Sequence, residues 1–153
     1  MNLYFLRHGA ADWPEWDKRD DDRPLTQKGK KVTRRVAKML CKLDVAPSVI
    51  LTSPLPRALQ TAEIAAKCLK VELRQERVLG KGFNAAKLRD LLKRNKLEQL
   101  MIVGHEPDFS GVIRAVTGAD LKLAKSGVAR VDIGQDADAG RLIWLFPPKL
   151  AKK

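Results

Sequence analysis

Short apolar runs alternate along this chain with segments whose apolar residues recur every three or four positions. The runs typical of strands lie at residues 2–6, 48–52, 71–74, 99–103, 128–133 and 141–146. Amphipathic helical patterns separate the first four runs and follow the fourth. Strands that alternate with helices predict an α/β fold: a three-layer sandwich with a mainly parallel central sheet and helices on both faces. The last two strands, joined through residues 134–140, are expected to form an antiparallel hairpin.

Residues that favour helix ends support this assignment. Thr26 is positioned to cap the first helix, and Asn84 the third. Ser53 is expected to cap the second helix, with Pro54 at its first helical position. The fourth helix is expected to end near Gly118.

Length and composition predict one globular domain over residues 1–153, since a chain that is 44% hydrophobic can bury a proper core. No stretch approaches the ~20 apolar residues that a membrane helix requires. The first residues carry no basic leader, and their apolar run is short for a signal peptide. We therefore expect a cytoplasmic protein without a membrane partner, in which Cys41 and Cys68 are free thiols.

The net charge of +12 indicates a surface that attracts anions, such as phosphorylated substrates, nucleic acid or acidic proteins. Seven cations and no acid fall within residues 28–42, directly after an acidic segment at 12–22. A solvated helix face beside a solvated loop explains most of these residues. Nucleic acid is an unlikely partner, because the chain has neither zinc-finger spacing nor an RNA-binding aromatic signature.

The chain has only two histidines, and each follows an apolar strand in a turn that contains glycine. His8 precedes Gly9, and His105 follows Gly104. In an open α/β sheet, ligands bind in the crevice at the carboxyl ends of the strands. If the strands at 2–6 and 99–103 are neighbours, both histidines share that crevice, where the glycines let the backbone approach a ligand closely.

Two arginines complete the candidate site. Arg7 is next to His8, and Arg57 falls in the first turn of the second predicted helix. Guanidinium groups bind phosphoryl oxygens bidentately, and a helix N-terminus favours an anion. Two histidines and two arginines therefore predict a pocket for a tetrahedral dianion, with His8 as the candidate nucleophile.

Four sequence blocks appear in the order expected of one known family. They are residues 7–9 (Arg-His-Gly), 23–29 (Arg-Pro-Leu-Thr-Gln-Lys-Gly), 53–62 (Ser-Pro-Leu-Pro-Arg-Ala-Leu-Gln-Thr-Ala) and 103–108 (Val-Gly-His-Glu-Pro-Asp). Together they resemble the signature of the histidine phosphatase (phosphoglycerate mutase-like) superfamily. The short chain, the form of the last block and residues 125–129 (Lys-Ser-Gly-Val-Ala) are similar to its SixA-type phosphohistidine phosphatase branch.

The resemblance implies a phosphoglycerate mutase-like fold and a phosphatase with a covalent phosphohistidine intermediate on His8. It implies phosphate-binding roles for Arg7 and Arg57, and contact of His105 with the phosphoryl oxygens. The implied substrate is phosphohistidine on a protein such as a histidine-phosphotransfer domain. No metal or other cofactor is expected, because the arginines supply the positive charge.

The sequence leaves the general acid open. Larger family members carry an acidic residue in the region that matches about 76–86 here, where this chain has none after Glu76. Glu76, Glu106 and Asp12 are the candidates. A phosphoramidate substrate lessens the need for such an acid, because its protonated imidazole leaves more readily than an alkoxide.

Three other functions are compatible with the same sequence features. A phosphatase of small phosphoesters, nucleotides or phosphoserine/threonine would have the same site. A metal-dependent hydrolase with His8 and His105 as ligands would need further ligands at suitable spacing, and the chain has no other histidine. A binding module without catalysis, for phosphate or nucleic acid, would be centred on the basic helix at 28–42.

Overall fold

The computed structural model describes residues 1–134 and 136–151, and its strands form one sheet. The strands are β1 (Asn2–Arg7), β2 (Val49–Thr52), β3 (Glu72–Gln75), β4 (Gln99–Gly104), β5 (Val128–Ile133) and β6 (Gly140–Phe146). Their order across the sheet is β3-β2-β4-β1-β5-β6. β3, β2, β4 and β1 pair in parallel, whereas β5 is antiparallel to both of its neighbours. The prediction of a mainly parallel sheet is confirmed.

The four predicted helices are present on the two faces of the sheet. They are α1 (Gln27–Lys42), α2 (Pro56–Leu69), α3 (Ala85–Arg94) and α4 (Asp108–Thr117). Three short 3-10 turns lie at Asp20–Asp22, Arg77–Leu79 and Pro148–Leu150. The first of them falls in the segment that the sequence indicated only as a loop.

Two apolar cores lie on opposite faces of the sheet. On one face, Val36 and Leu40 of α1 and the alanines of α2 pack against alternate residues of β1, β2 and β4. On the other face, leucines of α3 and the apolar residues of α4 pack against the remaining strand residues. A buried parallel strand is apolar on both faces, which is why these runs are nearly continuous in the sequence. The predicted α/β sandwich is therefore confirmed.

Two of the predicted helix caps are formed as expected. The Thr26 hydroxyl accepts a hydrogen bond from the Gly29 N–H, and the Asn84 side chain accepts one from the Lys87 N–H. α4 ends at Gly118, whose positive φ of 78° suits glycine. The hairpin of β5 and β6 is antiparallel as predicted, while Gln135 in its connection lies outside the described residues.

The predicted start of α2 was wrong by two residues. The helix begins at Pro56, with Leu55 as its capping residue, and not at Pro54 after a Ser53 cap. A proline suits the first helical position in either register, so the sequence Ser-Pro-Leu-Pro did not distinguish them. Ser53 instead accepts a hydrogen bond from the Leu55 N–H and shares one with His105. Arg57 remains in the first turn of the helix.

In the part of the chain that the structure describes, no helix has the length and apolar character to cross a membrane.

α1 approaches the loop after β1 so closely at Gly29 that one added methyl group there is expected to have a large effect on stability. A Cβ at Gly29 would overlap the backbone carbonyl of Ala10, whereas a Cβ at Gly111 in α4 would meet no atom within 4 Å. We expect Gly29→Ala to lower the free energy of unfolding by about 1–3 kcal/mol. Gly111→Ala should raise it by up to about 1 kcal/mol, because alanine is the better helix former. Urea denaturation of both variants checks this, and equal effects would contradict the close contact.

Candidate active site

The parallel register of β1 and β4 brings the two histidines together. Arg7 pairs with Gly104 at the carboxyl ends of these strands, so the residues that follow enter the same crevice. The His8 N–H donates to the Gly104 carbonyl at 3.1 Å. The ring centroids of His8 and His105 are 5.3 Å apart. The expectation that both histidines share one crevice is met.

The His8 ring is held in one orientation. Its Nδ1 lies 2.7 Å from the carbonyl oxygen of Gly9. A carbonyl can only accept, so Nδ1 carries the proton, and in the neutral ring the lone pair lies on Nε2. His8 lines the pocket, and Nε2 is the nitrogen that remains for a ligand.

The environment keeps His8 neutral. Its residue surface is 8% exposed, and this burial lowers its pKa to about 4. The positive charges of Arg57, Arg7 and Lys125 act in the same direction, while the hydrogen bond to the Gly9 carbonyl opposes them. At neutral pH the ring is therefore uncharged, which is the state in which an imidazole nitrogen is nucleophilic.

His105 is neutral for a similar reason. Burial lowers its pKa to about 3, and His8 and Arg57 contribute in the same direction. Its Nε2 shares a hydrogen bond of 2.8 Å with the Ser53 hydroxyl. When Ser53 donates, the ring carries its proton on Nδ1, a buried atom without a partner among the described residues. This N–H is available to an oxygen atom of a bound anion.

Both predicted arginines lie in the pocket. The Arg7 guanidinium donates to the Leu123 carbonyl at 3.0 Å, and Arg57 is 5% exposed. Burial lowers the pKa of each, although an arginine stays charged at any physiological pH. The Nε atoms of Arg7 and Arg57 are buried with no partner among the described residues. An anion in the pocket would supply the acceptors that these groups lack.

Gly9 fits where a larger residue would not. A Cβ at this position would lie 2.7 Å from the Thr33 hydroxyl and 3.0 Å from the Ser126 hydroxyl. These two hydroxyls are themselves hydrogen-bonded at 2.9 Å. The Gly9 N–H donates to the Thr61 hydroxyl at 3.0 Å, so this glycine joins β1 to α1 and α2. Its tight packing fixes the backbone of the residue before it, His8.

The structure separates the three candidate acids. Asp12 and Glu106 line the pocket, whereas Glu76 lies outside the lining and pairs with Arg94 at 3.3 Å. Glu106 accepts hydrogen bonds from the Ser110 N–H, the Ser110 hydroxyl and the Leu123 N–H. These bonds hold its carboxylate between the first turn of α4 and the segment that contains Leu123. Asp12 is ion-paired with Lys125, and that hydrogen bond lowers its pKa. A carboxylate with a lowered pKa is a poor proton donor near neutral pH.

Sequence reasoning underestimated the cations at the pocket rim. Arg23, Lys81 and Lys125 all line the pocket, although the sequence pointed only to Arg7 and Arg57 as its cations. Each is paired with an acid of the segment 12–22: Arg23 with Asp20, Lys81 with Asp21 and Lys125 with Asp12. The acidic segment thus neutralises the rim. The charge block in the sequence was a signal of such pairing, but it did not reveal the partners.

The pocket has a volume of about 570 Å³. Its lining contains three arginines and two lysines against three carboxylates, those of Asp12, Glu106 and Asp108, together with the two neutral histidines. Within the described ranges, no three His, Cys, Asp or Glu residues are grouped so as to hold a metal ion. The arrangement suits a small anion bound by guanidinium and imidazole groups beside a free imidazole nitrogen.

Comparison with known proteins points to one family. A model of the histidine phosphatase superfamily (branch 1) matches residues 3–80. An uncharacterized protein of a Picosynechococcus species is 39% identical over 166 residues, which cover 96% of this chain and 100% of that protein.

Solved structures share the fold at low sequence identity. A protein histidine phosphatase SixA complexed with tungstate superposes with a TM-score of 0.88 at 23% identity, covering 99% of this chain and 100% of that one. A phosphoserine phosphatase mutant from Entamoeba histolytica, in complex with phosphoserine, has a TM-score of 0.77 at 18% identity, covering 97% and 98%. The architecture is therefore phosphoglycerate mutase-like, as the sequence resemblance implied.

The neutral histidines predict a pH-dependent stability. Their pKa values are about 4 and about 3 in the folded protein, against about 6.5 in an unfolded chain. Between these values the unfolded state binds more protons, so stability falls as the pH is lowered through 6 toward 4. We expect the free energy of unfolding to fall from pH 7 to pH 5 in the native sequence and to change less in the double variant His8→Gln, His105→Gln. Parallel curves from urea denaturation would contradict buried, neutral histidines.

Proposed function

The chain belongs to the histidine phosphatase superfamily, and from this membership we propose that it hydrolyses phosphohistidine on a protein through a covalent intermediate on His8. One observation carries the proposal. His8 is neutral, donates its Nδ1 proton to the Gly9 carbonyl, and has Nε2 free in a pocket surrounded by arginines. Membership in the superfamily makes the protein a phosphatase-type enzyme; the substrate, the intermediate on His8 and the metal-free reaction are the proposed parts.

In the first step, His8 Nε2 attacks the phosphorus atom of the substrate in line with the leaving group. The bond from phosphorus to the substrate nitrogen breaks, and that imidazole leaves with the proton already on its other ring nitrogen. In the second step, a water oxygen attacks the same phosphorus, and the bond to His8 breaks. The water proton passes to the phosphate or to solvent, so His8 returns to its starting state.

The surrounding cations stabilise the charge on the transferred group. Arg7 and Arg57 have buried Nε–H groups without partners among the described residues, and His105 has a buried Nδ1. These donors are held in place before the substrate arrives, so no reorganisation accompanies the reaction. We propose that this charge replaces a metal ion, and that the reaction proceeds without one.

The carboxylates at the pocket support a substrate with an easily displaced leaving group. Asp12 has a lowered pKa, Glu106 is occupied by three hydrogen bonds, and Asp108 accepts one from the Gly82 N–H. We infer that none of the three protonates an alkoxide. A protonated phosphoramidate needs no such acid, which favours phosphohistidine over alkyl phosphates. SixA, with which the chain shares its fold, is named as a protein histidine phosphatase.

A second candidate is a phosphatase of small phosphoesters. The fold is shared with a phosphoserine phosphatase. The pocket of about 570 Å³ can hold a small phosphoester such as phosphoserine. In either case, the proposed functional unit is a single domain over residues 1–153. Its two apolar cores flank a common sheet, and the site lies at the carboxyl ends of the strands.

The nucleophile is tested with two substrates and one substitution. The native protein is incubated in EDTA with a phosphohistidine-bearing histidine-phosphotransfer domain and with p-nitrophenyl phosphate. We expect phosphate release, faster from phosphohistidine, and a loss on the order of 10³-fold or more in His8→Ala, because the variant lacks the imidazole that forms the proposed intermediate. A ³²P label that is acid-labile and base-stable, and that forms on the native protein but not on the His8→Ala variant, would identify a phosphohistidine intermediate on His8.

The outcomes separate the candidates. Cleavage of p-nitrophenyl phosphate without cleavage of phosphohistidine would move the substrate to small phosphoesters. Activity lost in EDTA and restored by a divalent cation would contradict a metal-free reaction. A His8→Ala variant as active as the native protein would exclude His8 as the nucleophile.

Asp12 is tested through the leaving group. A general acid matters more for an alkyl phosphate than for p-nitrophenyl phosphate, whose phenolate leaves unaided. Because Asp12 is paired with Lys125, we expect Asp12→Asn to change kcat for both substrates by the same factor. A selective loss on the alkyl phosphate would identify Asp12 as the acid after all.

A further inference from the structure

A row of cations runs along the solvent side of α1. Its members, the basic stripe, recur at spacings of three and four residues, so they share one side of the helix. They are Lys28, Lys31, Arg34, Arg35, Lys38 and Lys42. At 1.5 Å per residue the stripe is about 20 Å long.

The basic stripe is not balanced by acids. α1 contains no acidic residue, and no ion pair among the described residues includes a member of the stripe. Like charges three or four residues apart destabilise a helix by about 0.2–0.5 kcal/mol per pair. Lys28 also lies in the first turn, where the helix dipole disfavours a cation.

Folding does not require this charge. α1 is held by its inner face, where Val36 and Leu40 pack in the core and Thr33 bonds to Ser126. Among the described residues, the outer cations form no ion pair with another element to offset their mutual repulsion. A local arrangement that opposes stability is typical of a functional surface.

The stripe begins beside the candidate active site. The Thr26 N–H donates to the Ala10 carbonyl at 2.9 Å, so the start of α1 lies against the loop that follows His8. Thr33, about two turns further and on the inner face of α1, is hydrogen-bonded to Ser126, the neighbour of the pocket residue Lys125. The stripe lies on the outer side of α1 and does not line the pocket, so only a molecule that extends beyond its phosphoryl group and over α1 would reach it.

We propose that the basic stripe docks an acidic surface of the phosphorylated protein substrate while the phosphoryl group occupies the pocket; this rests on the proposed function. Carboxylates spaced over about 20 Å on the partner would match the length of the stripe. α1 has no aromatic residue on which a base could stack. This favours a protein over a single-stranded nucleic acid.

The test compares two variants with the same change of charge. Lys31→Glu, Arg34→Glu, Lys38→Glu alters the stripe. Arg89→Glu, Lys93→Glu, Lys96→Glu alters the opposite layer, on and just after α3. Each variant is assayed on the phosphohistidine-bearing domain and on p-nitrophenyl phosphate, at low and at high salt.

We expect the stripe variant to lose at least about tenfold in kcat/KM on the phosphoprotein at low salt, mainly through KM. High salt should shrink the difference, because it screens the attraction. Turnover of p-nitrophenyl phosphate should be unchanged, and the Tm should not fall, because the new acids relieve repulsion within α1. The α3 variant should resemble the native protein.

Several results would overturn the proposal. These are an unchanged kcat/KM in the stripe variant, an equal loss in the α3 variant, or an equal loss on p-nitrophenyl phosphate. Salt-sensitive binding of a DNA duplex that the stripe variant abolishes, with phosphoprotein kinetics intact, would assign the stripe to nucleic acid.

Failure of the proposed function is distinguishable from failure of docking. If the native protein cleaves p-nitrophenyl phosphate but not phosphohistidine, only the proposed substrate is refuted, and docking can still be tested. Docking is then measured with two phosphoserine peptides, one flanked by acidic and one by neutral residues. A preference for the acidic peptide that the stripe variant lacks would support the stripe, and equal turnover of both peptides would refute it.

Discussion

The parallel pairing of β1 with β4 is the constraint on which the site depends. These strands are distant in the chain, yet their register sets Leu6 opposite Val103 and Arg7 opposite Gly104. The two turns that follow therefore meet, and His8 hydrogen-bonds to the Gly104 carbonyl. A shift of one residue would exchange the side chains that β1 contributes to the two cores and would move His8 away from the Gly104 carbonyl.

The cations of the site serve two purposes at once. Arg57, Arg7 and Lys125 can neutralise a phosphoryl group, and in the free protein their charges help to lower the pKa of His8. The cations that would attract an anion thus also help to keep His8, the proposed nucleophile, unprotonated. The repulsion between these like charges opposes folding. At the rim, this repulsion is offset by ion pairs with the acids of the segment 12–22.

Much of the architecture was readable from local patterns. The strands were predicted within one residue. β1, β2 and β4 are buried on both faces and are therefore apolar runs in the sequence. Thr26 and Asn84 cap helices because their side chains bond to backbone groups only three residues away. The start of α2 was not readable, since two prolines fit the same position and the Ser53 hydroxyl is used by a residue 52 positions away.

The sequence by itself determined the α/β fold, the caps of α1 and α3 and the pocket residues His8, Arg7, Arg57 and His105, because periodicity and short motifs depend on near neighbours. Only the tertiary structure decided which of those groups are neutral, which acids lie at the pocket and which rim cations they pair with. Lys125 pairs with Asp12, which lies 113 positions away in the chain. Glu106 accepts a hydrogen bond from the Leu123 N–H, 17 positions away. Burial and long-range contacts control protonation and pairing, and both arise when distant segments pack together.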